Sequence, residues 1–169
     1  ALILSVYAHN KKTLFSIPKL EKNYSLSVLV PAYNEQDTIK GTIEHIFASD
    51  YKGLLEVIAI NDGSGDNTLQ ILRKLQKKYK RLVVIDKTNS GKADSLNCAL
   101  KQVRGDFVAV IDADSYPDKK AFSYLMGVFS DEKVGATTAA CTPINRRTIL
   151  EKLQTIEITG LIIFPSLMY

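Results

Sequence analysis

Near-continuous apolar runs that alternate with amphipathic helical patterns leave a chain of 169 residues few ways to fold. Leu26–Pro31 (LSVLVP), Leu55–Ile60, Leu82–Ile85 and Phe107–Ile111 are short, apolar and rich in β-branched residues. Strands that are apolar on both faces belong to a parallel sheet covered on both sides. Between them, Ile39, Ile43, Ile46 and Phe47 fall on one helical face, and Leu69, Leu72 and Leu75 on a second. Ala93, Leu96, Leu100 and Val103 form a third face. Asp66 is placed to cap the second helix. Pro117 and Asp118 open a fourth helix, with Ala121, Leu125, Val128 and Phe129 expected to turn inward. Val134–Cys141 reads as a fifth strand, and a long helix is expected from about Arg146 past Ile156. Right-handed crossovers then give an α/β, Rossmann-like, mostly parallel sheet with strand order 3-2-1-4 and helices on both faces. The order reverses between strands 1 and 4, so the polar residues that follow strands 1, 2 and 4 converge on one crevice.

Those polar residues are of particular kinds. After the first strand comes PAYNE, which supplies Pro31, Ala32, Tyr33 and Glu35. The second strand leads into NDGSGDN, with Asp62 at the edge, and the third into TNSGKADSLN, with Lys92 at a helix start. The fourth ends in DADSYPD, with Asp112 and Asp114 one residue apart. Two carboxylates held that close repel unless a proton or a cation intervenes. A hard divalent ion, Mg²⁺ or Mn²⁺, takes one or two carboxylates and completes its shell with water and ligand phosphates. A lysine at a helix N-terminus offers a phosphate both a charge and a favourable dipole. A sugar diphosphate nucleotide meets all of these demands.

Taken singly, each residue has an ordinary structural reading. An Asp-x-Asp arises by chance roughly once in a chain of this composition. Asp62 suits a turn in a Gly-Ser loop, Lys92 a solvated surface, and Tyr33 a half-buried ring. Their joint placement at the strand ends of one rim is what points to chemistry. Other phosphate sites fit less well. NSGKADS resembles a P-loop, but the earlier glycine would have to be Asp86, and Ala93 stands where Ser or Thr should follow the lysine. No G-x-G-x-x-G follows the first strand, so a dinucleotide site is unsupported. A phosphatase with a nucleophilic aspartate would carry its Asp-x-Asp on the first strand, not the fourth.

Composition sets outer bounds. With 46% hydrophobic and 24% charged residues the chain has the mix of one globular domain with a sizeable core. A net charge of +4, spread along the chain, is only weak support for nucleic acid or an anionic membrane surface and is equally compatible with an anionic small substrate; no nucleic-acid partner is expected. Cys98 and Cys141 have neither metal-site spacing nor a disulfide framework, and read as small buried residues of a reducing compartment. No apolar run reaches the length of a membrane-spanning helix. ALILSVYA followed by HNKK reads either as the end of a membrane helix with its cytosolic flank or as an ordinary strand or tail. With an apolar LIIFPSLMY at the other end, both termini read as cuts in a longer protein. Residues 1–24 are then a flank, 25–145 the α/β core, and 146–169 a helix and apolar tail through which copies of the chain can pair.

VPAYNE, NDGSGDNT, GKADSLN and DAD followed by PD, in this order from Leu26 to Asp118, resemble the motifs of the family 2 glycosyltransferases. The later NRRTILEKLQTIE resembles the processive branch, which makes cellulose, chitin, hyaluronan and poly-N-acetylglucosamine. The resemblance implies a GT-A fold, a nucleotide-sugar donor (UDP above all), and transfer with inversion to a polysaccharide or lipid-linked acceptor at the cytoplasmic face of a membrane. It implies that the membrane is reached through segments outside this chain. It places Pro31, Ala32 and Tyr33 against the nucleotide base, and Glu35 and Asp62 on the base and ribose, with Asp62 facing a ring N–H of uracil. Lys92 would contact the base or the diphosphate, Asp112 the ribose or the metal, and Asp114 the metal. The family's general base and its Gln-x-x-Arg-Trp motif are expected beyond residue 169, and the chain has no Trp. The chain therefore reads as the donor-binding portion, inactive by itself. The alternatives within reach are a polyprenyl-phosphate sugar synthase and a catalytically incomplete nucleotide-sugar-binding module.

Overall fold

A computed structural model describes residues 22–139 and 141. By its internal contacts the chain divides into two units, residues 1–133 and 134–169, and all the elements named below lie in the first. They are β1 (Leu26–Ala32), α1 (Ile39–Phe47), β2 (Leu55–Asp62), α2 (Thr68–Lys78), β3 (Leu82–Lys87), α3 (Lys92–Leu100), β4 (Phe107–Val110) and α4 (Ala121–Val128). The four strands are all parallel and ordered β3-β2-β1-β4. The first four expected strands, their order and the point of reversal are therefore present.

The sheet separates two apolar layers. On one face Val28, Val30, Val57, Ala59, Leu82 and Val84 pack against Ile39, Ile43 and Ile46 of α1, Leu72 and Leu75 of α2, and Phe122 and Met126 of α4. On the other, Leu29, Ile58 and Ile60 meet Ala99 of α3, with Leu96 and Val103 at the margin. Each fully buried aliphatic side chain contributes about 1.5–3 kcal/mol relative to leaving it in water. Val108 and Val110 of the edge strand β4 lie in register beside Ser27 and Leu29 and stay about half exposed, at 44% and 51%.

Two helices turn differently from expectation. In α3 the buried residues are Ser95 and Ala99, whereas Ala93 and Leu100 are exposed. Small side chains let this helix approach the sheet closely, and that displaces the larger Leu100 to the side. In α4 the buried residues are Phe122, Met126 and Gly127, while Ala121, Leu125, Val128 and Phe129 are only partly covered. The expected fifth strand is not formed over residues 134–139 and 141. GATTAA offers mainly small side chains, and Gly135 to Ala139 are exposed. Cys98 is half-buried and Cys141 exposed, so neither is the buried residue that composition suggested. The expected helix after Arg146 and the N-terminal apolar piece lie outside the described residues. Among the described residues no helix is long and apolar enough to cross a membrane.

Pro31 shapes the rim of the sheet. The Ser25 and Leu29 carbonyls accept the N–H groups of Phe107 and Ile111, so alternate residues of β1 bond toward β4. Pro31 is next in that series and has no N–H to offer. Pairing with β4 ends at Leu29–Val110, while pairing with β2 continues to Ala32–Asn61. The two central strands part where the proline stands.

Candidate functional site

That parting opens a cavity of about 270 Å³ lined by Pro31, Ala32, Tyr33, Glu35, Asp62, Lys92, Ser95, Asp112, Ala113 and Asp114. Every residue singled out from the sequence lines this one cavity.

The first wall is the segment after β1. Asn34 adopts a left-handed conformation, φ 56°, which Asn tolerates better than most residues. Its side-chain oxygen accepts the Gly65 N–H at 2.8 Å, and its own N–H donates to Ser64 Oγ at 3.0 Å. The Glu35 N–H donates to Thr68 Oγ1 at 2.8 Å, and the Gln36 N–H to Asp66 Oδ2 at 3.1 Å. The loops after β1 and β2 are thus stitched together. Asp66 also accepts the N–H of Thr68, the first residue of α2, at 2.9 Å; it does so from one residue before the N-cap, which is Asn67 and not the expected Asp66. Burial pushes the Asp66 carboxyl up, but the Thr68 hydroxyl and the surrounding N–H groups outweigh this and hold it below the ordinary carboxylate value. The Glu35 carboxylate accepts the Thr38 hydroxyl at 2.6 Å, so part of its capacity serves the start of α1. Tyr33 lines the cavity and is 53% exposed.

Asp62 forms the floor. Its side chain is 6% exposed and accepts the Lys87 ammonium at 2.6 Å on Oδ1. The Ser90 N–H reaches the same oxygen at 3.0 Å, and the Gly91 N–H reaches Oδ2 at 2.9 Å. Gly91 needs φ +93°, a conformation that glycine adopts without strain. Burial raises the Asp62 pKa, but Lys87, the two N–H groups and the nearby Ser95 hydroxyl outweigh it, leaving the carboxyl below its ordinary range. The Ser95 hydroxyl comes close without the geometry of a full hydrogen bond, since its oxygen has no partner. Lys87 in turn contacts Asp94 at 3.2 Å and Ser90 Oγ. The Asp62 bond, opposed by desolvation, holds the ammonium pKa above its usual value. Lys87 escaped notice in the sequence because one lysine at the end of a strand repeats no pattern. Its only trace is that it stands opposite Asp62 in the β2–β3 register.

The third wall is the turn after β4. The strand ends at Val110, and Ser115 closes a turn on the Asp112 carbonyl at 3.0 Å, so the two aspartates lie in a turn rather than along a continued strand. Both are exposed, with Ala113 buried between them. The buried Thr42 of α1 anchors this turn through a 2.7 Å hydrogen bond to the Ala113 carbonyl. Tyr116 packs on the same helix, where a Cβ at Gly41 would come within 2.5 Å of its ring, and its ring lies 5.1 Å from that of His45. Across the mouth, Lys92 Nζ contacts Asp112 Oδ1 at 2.5 Å. Among the described residues no three His, Cys, Asp or Glu side chains gather into a self-sufficient metal cage. Two exposed carboxylates with open neighbours suit a cation that draws its remaining ligands from water and phosphate.

Comparison with known proteins agrees with this geometry. The sequence model described as "Glycosyl transferase family 2" matches residues 27–165. The chain belongs to glycosyl transferase family 2. Within this family it is 38% identical, over 92% of its own length, to the poly-beta-1,6-N-acetyl-D-glucosamine synthase of Staphylococcus aureus strain MSSA476, of which it covers 37%. The chain thus spans little more than a third of the length of the curated relatives it matches. A structure of the mannosyltransferase PcManGT from Pyrobaculum calidifontis with GDP-Man and Mn²⁺ superposes with a TM-score of 0.66 at 28% identity, covering 78% of this chain and 41% of that one. S. aureus TarS 1-349 in complex with UDP-GlcNAc gives a TM-score of 0.58 at 31% identity, covering 72% and 38%. The family 2 membership and these neighbours agree with the Rossmann-like α/β fold read from the strand pattern and with the GT-A fold implied by the resemblance.

Proposed function

We propose that the chain is the donor-binding portion of a metal-dependent glycosyltransferase that moves N-acetylglucosamine or a related sugar from a UDP-sugar to a growing polysaccharide, with inversion. One observation carries this reading: the parting of β1 and β4 brings an exposed aromatic ring, a buried anion, a lysine and an Asp-x-Asp turn to one cavity. Likeness to a poly-N-acetylglucosamine synthase and to a UDP-GlcNAc complex supports the choice of donor and acceptor.

Each residue then has a task. The Tyr33 ring offers a flat apolar surface to the base. Asp62, kept anionic by Lys87, accepts a hydrogen bond from the nucleoside. Asp114 and Asp112 would hold Mg²⁺ or Mn²⁺, which when bound supplies Lewis-acid neutralisation of the departing diphosphate. Lys92 leaves Asp112 and turns its charge toward the phosphates. The general base for the acceptor hydroxyl is assigned to a part of the protein outside residues 1–169, and the working site to the cytoplasmic face of a membrane reached through such segments.

Calorimetric titration with UDP, UDP-GlcNAc and GDP-mannose, with and without Mn²⁺, tests the reading. UDP is expected to bind with micromolar to millimolar affinity and to need the metal, and Asp114→Ala to abolish that need. Equal binding of UDP and GDP-mannose, indifferent to metal and to Asp114→Ala, would overturn it.

A further inference from the structure

The charge that reads as diffuse along the chain is gathered in space. Residues 73–81, RKLQKKYKR, carry six cations and no carboxylate. They form the outer side of α2, whose inner side is Leu72 and Leu75, and the turn into β3, and all six cations are exposed. The Arg81 carbonyl accepts the Val57 N–H at 2.9 Å, which fixes that turn beside the start of β2. Lys101 and Arg104, from the connection between α3 and β4, are also exposed and share a cavity with Val83, two residues after Arg81. Eight exposed cations thus gather at the amino-terminal end of β2 and β3. The cavity of the candidate site lies at the other end of these strands, roughly 25 Å away.

The fold gains little from this density. Glu44 pairs with Lys78 at 3.2 Å, and Glu56 accepts the Ser27 hydroxyl and the Arg104 N–H. Among the described residues, Lys78 alone of the eight is in an ion pair. Lys77 and Lys78 suit the last turn of a helix. Arg73 with Lys77, and Lys74 with Lys78, however, set like charges at i, i+4, which costs helix stability. Leu54, 52% exposed just before β2, adds apolar surface to the same end.

We infer that this end of the sheet docks on the anionic surface of a lipid bilayer, its lysines and arginines meeting headgroup phosphates and Leu54 the interface. This rests on the membrane-face placement given above, not on the donor assignment. A strand of nucleic acid would be held by free aromatic rings as well as by charge. Tyr79, the aromatic residue of the basic segment, is half-buried and stacked on Phe47 at 4.3 Å. Residues 22–25 lead into β1 from this same end, and the sequence before them, ALILSVYA followed by HNKK, carries one reading as the end of a membrane helix. Docking here turns the cavity toward the water from which a nucleotide sugar arrives.

Flotation of the full chain with vesicles tests the inference. Neutral phosphatidylcholine vesicles are compared with vesicles holding about one-third phosphatidylglycerol, at about 0.1 M and about 1 M salt. The wild-type chain is expected to bind the anionic vesicles alone and to leave them at high salt, where the Debye length falls to about 3 Å. The triple variant Lys77→Gln, Lys80→Gln, Arg81→Gln loses three charges, each worth about fivefold at an anionic surface, so its binding should fall on the order of a hundredfold. The charge-keeping triple Lys77→Arg, Lys80→Arg, Arg81→Lys should bind as wild type does. Melting temperatures of both variants should be unchanged or raised, since the altered side chains are exposed. No binding to either vesicle, equal binding to both, or a glutamine triple that binds as wild type does overturns the inference. So does tighter binding to a single-stranded oligonucleotide than to anionic vesicles at the same salt. Each of these leaves standing a membrane-face placement through segments outside the chain, and the donor reading is judged separately by the UDP titration.

Discussion

Lys92 Nζ and Asp112 Oδ1 meet at 2.5 Å across the mouth of the cavity, so that without ligand the cation of one wall neutralises an anion of the other. Both side chains are more than half exposed, and the pair is correspondingly weak. Removing the ammonium should act oppositely on the two ligands. With Lys92→Met, Mn²⁺ alone is expected to bind about two- to fivefold tighter, because Asp112 is released. UDP in the presence of Mn²⁺ is expected to bind about five- to tenfold more weakly, because a charged phosphate partner is gone. Sequential calorimetric titrations separate the two effects, and a change of the same sign for both would refute the exchange of partners.

Thr42 ties the Asp-x-Asp turn to α1 through the Ala113 carbonyl, in a bond wholly removed from water. Thr42→Val keeps the shape and leaves that carbonyl unpaired, which costs about 1–3 kcal/mol. Urea unfolding should report the loss, and Mn²⁺-dependent UDP binding should weaken along with it. Thr42→Ser keeps the hydroxyl and should hold the turn, and with it UDP affinity, closer to wild type.

The Asp62 cluster makes stability depend on acidity. Burial alone would raise the Asp62 pKa, but Lys87 and the loop N–H groups bring it below the unfolded value. A group depressed in this way stabilises the fold in full above the ordinary carboxylate pKa of about 4, and the contribution drains away as pH falls through the folded value. Melting temperature should therefore drop on acidification below about pH 4. Lys87→Met should lower the melting temperature at neutral pH and flatten that acid dependence, since the depressed Asp62 pKa depends on the ammonium.

The sheet was legible because its strands are written as unbroken apolar runs, and the crevice followed from strand order alone. The departure in α3 traces to size: Ser95 and Ala99 are too small to register as an apolar face, yet smallness is what lets α3 settle on the sheet. The expected strand after Lys133 failed for the converse reason, a β-branched pattern diluted by Gly and Ala. Among the site residues, Asp62, Lys92 and the paired aspartates stood in recognisable motifs. Lys87, Thr42 and Ser95 did not, because a supporting group needs only one partner in space and leaves no spacing behind.

Pro31 makes the gap between β1 and β4 a covalent property of the chain. The seam stops because a tooth of the zip is missing, so removing ligand cannot close it, and the entering nucleotide has no ladder to unfasten. A donor returned at this position, as in Pro31→Val, would give the strands the means to run on together and narrow the entrance from behind.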